Sequence, residues 1–463
     1  MTGIKFGTDG WRAKIGEGFT YENLSKAADA YAAYTLGKIK KPRIALGCDN
    51  RFMSENYAQF TAERLRDYGF YIYFFDKAVH TPMVSWAVKT LKLDSGIMIT
   101  SSHNPAQYNG FKVKNKFGAG ISTEESEKLE AFAKKKINIK VNKGSGFIET
   151  INMDKKYCDA IRKMVDIEFI KKSGIRIVLD VMYGSGAGYI ENIFDGYKGL
   201  TVINNHRDPL FGGINPEPIE KNLMKLMQTV KKTKADIGIA IDGDGDRMAV
   251  IDNNGAYMTP HKTLVFHMLH HLKHRKMKFR FVKTISGTFL LDKIAAENRI
   301  KLLETPVGFK YIGEKIIDDR NTIGGEESGG VGFGYYLPER DGILGNLLVL
   351  EFLAKEKKKI TGIIRELDEK YGKYMYDRVD VKFKESERNF IYKKVNKLEK
   401  NGFAAGKKIK AVNRLDGIKY ILNDNEWLLF RFSGTEPLLR IYSEAPSSRR
   451  VEKNLRFGKQ IIK

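Results

Sequence analysis

Three carboxylates separated by single glycines, Asp242-Gly243-Asp244-Gly245-Asp246-Arg247, are the most specific local signal in the chain. Glycine lets the backbone bend sharply, so three side chains that would otherwise repel one another can converge on one hard cation. A calcium loop of the EF-hand kind needs glycine at its sixth position and glutamate at its twelfth. Those positions hold Arg247 and Asn253. The expectation is therefore a catalytic Mg2+ site, with coordination positions left open for a phosphate oxygen.

A hydroxyl suited to such a phosphate stands in residues 96–112, GIMITSSHNPAQYNGFK. The apolar run 96–99 reads as a buried strand that delivers Ser101, Ser102, His103 and Asn104 to a loop stiffened by Pro105. Asn109-Gly110 signals a tight reversal with positive φ, after which Lys112 returns beside the first strand and brings an ammonium near the serines. A hydroxyl at a strand end, with a cation folded back on it, suits chemistry on a negatively charged group.

Two later loops extend the set. GGEESGG at 324 offers Glu326, Glu327 and Ser328, groups that can bind vicinal sugar hydroxyls, although alone the motif reads as an acidic surface turn. RFSGTEP at 431, followed by Arg440, gathers guanidinium, hydroxyl and glycine-freed amide donors in the combination that suits a phosphate dianion. Other patterns fail. Residues 184–188 lack the last glycine of GxGxxG, because position 189 is tyrosine, and residues 402–408 lack the spacing and hydroxyl of a phosphate loop. His267, His270, His271 and His274 share a helical face without an acidic partner in HMLHHLKH, so a surface or packing role is expected.

The elements that must position these loops alternate strand and helix. In the first unit, 43–47 and 71–75 read as strands and 21–37, 57–68 and 83–91 as helices. The pattern restarts at strand 175–181 and again at strand 279–285, giving three related α/β layers, while the last unit reads as α+β. The expected boundaries are 1–148, 149–253, 254–372 and 373–463. Length allows about three or four domains. No apolar run reaches membrane-spanning length and no leader is recognised, so a cytoplasmic protein without membrane contact is expected. Cys48 and Cys158 are expected to stay reduced. A net charge of +24 attracts phosphates generally, but the lysine runs lack interleaved aromatics, which leaves nucleic-acid binding a minority reading.

Taken together and in order, FGTDGWR at 6, TSSHNP at 100, DGDGDR at 242, GGEESGG at 324 and RFSGTEP at 431 resemble the α-D-phosphohexomutase family, the phosphoglucomutases and phosphomannomutases. The resemblance covers nearly the whole chain. It implies three similar mixed-sheet α/β domains and a smaller C-terminal α+β domain around a central cleft. It implies that Ser102 is the phosphorylated serine and a metal ligand through its phosphoryl group, beside Asp242, Asp244 and Asp246. His103 joins the catalytic set with Arg12, Lys112 and Arg247 as active-site cations. Glu326 and Ser328 match sugar-recognition positions, Lys310 is a substrate-binding residue that helps set substrate orientation, and Arg431, Ser433, Gly434 and Thr435 match the loop that grips the distal phosphate. The implied cofactors are Mg2+ and hexose 1,6-bisphosphate, and the implied partners are small sugar phosphates, in a monomer or homodimer.

Departures from the family pattern are Ser101, where alanine or glycine is usual, Gly330, where histidine is frequent, and Phe432, where proline is frequent. Gly308-Phe309-Lys310 looks like the glucose-type mutases. Phosphoglucosamine mutases tend to carry glutamine where Glu327 stands, which disfavours that alternative. A catalytically silent relative is disfavoured because no motif is lost.

Overall fold

Short apolar strands alternating with helices assemble into four large sheets and a two-stranded one, Phe403–Ala404 with Lys407–Lys408, in the computed structural model, which describes residues 4–7, 9–135, 137, 146–434 and 437–462. The first sheet orders Trp11–Lys14, Tyr108–Lys114, Ser95–Ile99, Arg43–Cys48, Tyr71–Phe75 and Phe147–Ile151. Its last strand carries the first layer past the boundary expected at 148. The second sheet orders Tyr257–Met258, Met248–Ile251, Ile237–Ile241, Ile177–Asp180 and Leu200–Ile203, and so runs beyond 253. The third orders Lys301–Thr305, Arg280–Thr284, Thr322–Gly325, Val331–Phe333 and Leu337–Arg340. The fourth is antiparallel throughout and runs from Met375–Lys382 through Leu438–Ala445, Glu426–Phe432 and Ile418–Asn423 to Ala411–Asn413.

The first three sheets are mixed, as expected, and share one device. In each, a buried strand that pairs in parallel on one side pairs antiparallel on the other with the strand that follows it in sequence. The pairs are Ser95–Ile99 with Tyr108–Lys114, Ile237–Ile241 with Met248–Ile251, and Thr322–Gly325 with Val331–Phe333. The connections at these three reversals are the serine, aspartate and GEESGG loops. Three layers thus deliver their chemistry from the same topological position, and burial of both strands holds each loop still.

Helix Gly342–Glu356 joins the second and third layers. It is apolar on all sides, as a helix packed on every face must be, and its first thirteen residues are buried. Asp341 caps it by accepting from the amides of Ile343 and Leu344, and also accepts from the hydroxyls of Tyr157 and Tyr336. Burial pushes its carboxyl up to about 6. The neighbouring helix Pro260–His274 carries the histidine cluster, of which His267, His270 and His271 are buried. Acidic partners come from helix Gly342–Glu356, since Glu351 meets His270 and Glu356 meets His274. No helix among the described residues is long and apolar enough to cross a membrane.

Burial pushes His261 and His267 down to about 3, and lowers His271 as well. These rings stay neutral in the folded chain while the unfolded chain takes up protons below about 6.5. Their contribution to stability is therefore complete above that pH and is lost as pH falls toward their folded values. Asp341 acts oppositely, gaining stability as pH falls through about 6. At about pH 5 the loss is on the order of 2 kcal/mol for each of His261 and His267, larger in sum than the gain at Asp341. Calorimetry should show a lower Tm at about pH 5 than at neutrality, restored in part by His267→Phe; a flat profile would contradict this account.

Candidate active site

Ser102 opens the turn after strand Ser95–Ile99 with φ +53°, a left-handed conformation that only a well-supported serine keeps. Its amide donates to Thr100 Oγ1 at 2.9 Å, and its carbonyl accepts from Arg51 Nη2 at 2.5 Å. Arg51 is fully buried and also donates to the carbonyls of Asn104, Pro105 and Tyr108, so one guanidinium shapes the whole loop. Thus held, Ser102 Oγ donates to Asp242 Oδ2 at 3.1 Å and lies 3.3 Å from His103 Nδ1. Ser101 Oγ is equally buried and has no partner among the described residues.

The reversal expected at Asn109-Gly110 is absent. Both residues lie inside strand Tyr108–Lys114, opposite Ala13 and Arg12, and Gly110 does not have positive φ. The chain turns earlier, between Ser101 and Tyr108. Gly110 is needed for close approach instead, because a Cβ there would stand 2.4 Å from the Thr100 carbonyl and 2.7 Å from that of Trp11. Lys112 still arrives where a returning strand would bring it. Its Nζ lies 2.8 Å from Asp9, 2.8 Å from Asp244 and 3.2 Å from Asp246. Burial alone would lower its pKa, but these carboxylates outweigh burial and raise it, so Lys112 is a fixed cation.

The triad is buried, with one ligand oxygen from each of Asp242, Asp244 and Asp246 lying within 4.8 Å of the others. Asp244 Oδ2 is engaged by Thr81 Oγ1 at 2.6 Å and by Lys112, and Asp246 Oδ2 by Lys112 and Arg340. The second oxygens, Oδ1 of Asp244 and of Asp246, are buried without a hydrogen-bond donor among the described residues. Burial and the charges of Asp244 and Asp246 push the carboxyl of Asp242 well above the usual range. Two orphaned carboxylate oxygens beside a third carboxylate that resists ionisation are what a divalent cation satisfies, so the residues fit a metal.

Arg12 donates to Asn104 at 2.9 Å and sits 3.5 Å from Asp9. Arg247 lies 3.5 Å from Glu217, whose other neighbour, at 3.9 Å, is His103. Burial, then the charges of Arg247 and Arg12, keep the His103 ring neutral. On the third layer, Ser328 Oγ donates to Glu326 Oε1 at 2.6 Å, and Gly329, at φ +88°, lets its carbonyl accept from the Met248 amide at 3.0 Å. Glu326 and Ser328 are therefore brought against the strand that follows the aspartate loop.

The remaining expected residues stand apart from this cluster. Lys310 donates to Thr123 of the first layer at 2.6 Å and lies over the Tyr311 ring, with no bond to Glu326 or Ser328 among the described residues. Arg431 is held by Asp416 at 2.7 Å, and Asp416 is itself anchored by the Val307 amide at 2.9 Å. The Ser433 carbonyl accepts from Arg388, and Gly434 is exposed. Thr435 lies outside the described residues. Phe432, unexplained by sequence, packs against Phe383 and Tyr392, with the Arg388 guanidinium over its ring.

Sequence reasoning missed Asp9, Arg51, Thr81, Glu217 and Arg340. Arg340 is the furthest reaching. It contacts Asp246 at 2.7 Å, Asp9 at 2.9 Å and Glu326 at 3.0 Å, joining all three α/β layers. The signal that could have found Arg51 was Asp49-Asn50-Arg51 just after the buried strand Arg43–Cys48.

A buried hydroxyl aimed at a carboxylate triad, with Lys112 and Arg340 among the triad's partners and the loop of the third layer joined to it through Arg340, is suited to phosphoryl transfer on a four-domain α/β scaffold. The comparisons agree. Residues 3–140, 155–255, 260–371 and 380–455 match, in turn, the phosphoglucomutase/phosphomannomutase alpha/beta/alpha domains I, II and III and C-terminal domain. The chain is 34% identical to a phosphoglucomutase/phosphomannomutase of Thermococcus kodakarensis, over 99% of this chain and 98% of the relative. It is 33% identical to a phosphoglucosamine/phosphogalactosamine mutase of Sulfurisphaera tokodaii, over 96% and 95%. A Thermus thermophilus crystal structure, assigned to the phosphomannomutases, superposes with a TM-score of 0.88 at 32% identity, covering 100% of this chain and 99% of that one. The chain belongs to the phosphoglucomutase/phosphomannomutase family, and it is a phosphohexomutase, an isomerase that works by phosphoryl transfer.

Proposed function

We propose that this mutase interconverts hexose 1-phosphate and hexose 6-phosphate, with glucose as the first sugar and mannose as the second. The route runs through a phosphoserine at Ser102 and a hexose 1,6-bisphosphate. The observation that carries this reading is the Ser102 hydroxyl directed at Asp242, beside a Ser101 hydroxyl with no partner among the described residues.

In the forward direction the bond between phosphorus and Ser102 Oγ breaks as a bond from phosphorus to a sugar hydroxyl oxygen forms. The sugar gives up its hydroxyl proton as the departing Ser102 Oγ takes one up, and His103, whose Nδ1 lies 3.3 Å from that oxygen, passes the proton to it. Lys112, Arg12 and Arg247 face the charge that spreads over the transferring oxygens. Asp242, Asp244 and Asp246 would hold Mg2+, which would supply positive charge to phosphate oxygens. Glu326 and Ser328 hold sugar hydroxyls, while Arg431, Ser433, Gly434 and Thr435 hold the phosphate that is not transferring. After the bisphosphate turns over, Ser102 takes back the other phosphoryl group.

The amino-sugar reading has its own support, since the Sulfurisphaera tokodaii relative is named for glucosamine and galactosamine phosphates. Glu327 and the Gly308-Phe309-Lys310 segment favour glucose. Coupled assays with glucose, mannose and glucosamine 1-phosphates, primed with the matching bisphosphate and Mg2+, decide between them. Glucose 1-phosphate should give the highest kcat/KM, and EDTA should remove all turnover until Mg2+ is restored. A preference for glucosamine 1-phosphate replaces the hexose assignment with the amino sugar.

A further inference from the structure

Helix Thr81–Thr90 belongs to the first layer, yet its first turn bonds to the aspartate loop of the second. The first amides of a helix have no acceptor inside it, and Pro82 removes one of them by having no N–H. The Thr81 amide finds its acceptor in the Asp244 carbonyl, at 2.8 Å. Just before it, the wholly buried His80 ring packs at steep angles on the rings of Tyr157 and Tyr189, with centroids 4.7 and 4.5 Å away. Gly245 completes the fit at φ +72°, because a Cβ there would come 2.7 Å from His80 Cβ. The start of this helix and the middle of the aspartate loop are therefore packed as one piece.

One side-chain bond crosses the same seam. Thr81 Oγ1 donates to Asp244 Oδ2 at 2.6 Å, and both residues are fully buried. Among the described residues two hydroxyls reach the triad, those of Ser102 and Thr81. The two oxygens of Asp244 end in different states. Oδ2 receives Thr81 and Lys112, while Oδ1 is buried with no donor among the described residues. Lys112 Nζ is shared among Asp9, Asp244 and Asp246, so it cannot by itself fix which way the Asp244 carboxylate turns. Thr81 can, because its hydroxyl bonds to Asp244 alone among the described residues, its amide holds the backbone of that same aspartate, and a β-branched side chain is stiff at χ1.

We propose that Thr81 is a positioning residue of the transfer site: through its two bonds to Asp244 it keeps Oδ2 committed and leaves Oδ1 free for a divalent cation. A hydrogen-bonding partner behind a metal-binding carboxylate fixes its orientation, and losing such a partner weakens metal binding about 10–100-fold. The inference rests on the reading of the triad as a cation site and adds to it a residue outside the triad, carried by another layer.

Mn2+ titration of the full chain, followed by loss of the free-ion EPR signal and repeated with Mg2+ by calorimetry, tests it in Thr81→Val, Thr81→Ala and Thr81→Ser. Thr81→Val keeps the shape and removes the donor, so its Kd for either ion should rise about tenfold or more. Thr81→Ala removes the donor without setting a methyl group against the carboxylate, and should show the same rise even where the valine chain does not fold. Thr81→Ser keeps the donor and should stay within about threefold of wild type. In turnover, the Mg2+ concentration that gives half the maximal rate should rise in step with Kd. A residue with a merely structural role would lower Tm and leave the Kd of the folded chains unchanged. A Kd in Thr81→Ala within about threefold of wild type overturns the proposal and leaves the triad reading standing. Wild type that binds neither Mn2+ nor Mg2+ overturns both.

Discussion

Ser102→Ala protein is expected to carry no phosphoryl group and to lose at least about 10^3-fold in kcat, because the group that accepts and returns the phosphoryl is gone. Intact mass spectrometry should find the added phosphoryl mass on a fraction of wild-type chains and on Ser101→Ala, but not on Ser102→Ala. The structure gives this contrast its physical basis. Both hydroxyls are buried, yet only that of Ser102 meets a member of the triad, since Arg51 and Thr100 fix the peptide on either side of it. Ser102→Gly separates chemistry from folding. A non-glycine residue at φ +53° costs about 1 kcal/mol, so the glycine variant should be as stable as wild type or slightly more so while remaining inactive. Phosphorylation that persists in Ser102→Ala and disappears in Ser101→Ala would falsify the assignment.

The parts of this site that were legible in sequence are those whose chemistry is written in consecutive residues. Asp242, Asp244 and Asp246 declare themselves because glycines between acids serve few purposes except bending around a cation. Glu326 and Ser328 were legible only through the family resemblance, since an acidic glycine-rich turn on its own is ambiguous. The strand pattern predicted three α/β layers correctly, because buried strands read as short apolar runs wherever they sit. Asn109-Gly110 misled for a definite reason. Its dipeptide preference for a hairpin turn was overridden by strand packing so close that only glycine fits between Thr100 and Trp11. The histidines of HMLHHLKH looked partnerless because their acids lie on another helix, at Glu351 and Glu356.

Arg340 is the extreme case of long-range assembly, since its contact with Asp9 spans 331 residues of sequence. Nothing in Leu-Pro-Glu-Arg-Asp marks it, because its meaning lies in what three layers place around it. Arg340→Met should cost about 3–5 kcal/mol of stability, the usual penalty for removing one member of a buried charged set, and it should lower kcat/KM by roughly 10^2-fold or more. Three carboxylates lose a donor at once. Asp246 would lose one of its two cations, Glu326 would keep only the Ser328 hydroxyl, and Asp9 would lean on Lys112 alone among its close partners. Lys112 would then be drawn further toward Asp9 and away from Asp244 and Asp246.

Arg340→Lys keeps the charge but cannot fork to Asp246, Asp9 and Glu326 together, so it should recover stability better than activity. A double-mutant cycle with Asp9→Asn distinguishes a clamp from a mere core residue. If Arg340 works by neutralising Asp9 and Asp246, removing the Asp9 charge should make the loss of Arg340 cheaper, with a coupling energy of about 1–3 kcal/mol. Additive losses would mean that Arg340 acts through Glu326 and packing alone. The two outcomes assign the residue to different work: the first makes it the charge that lets three layers close around the carboxylate triad, the second a prop beneath the GEESGG loop.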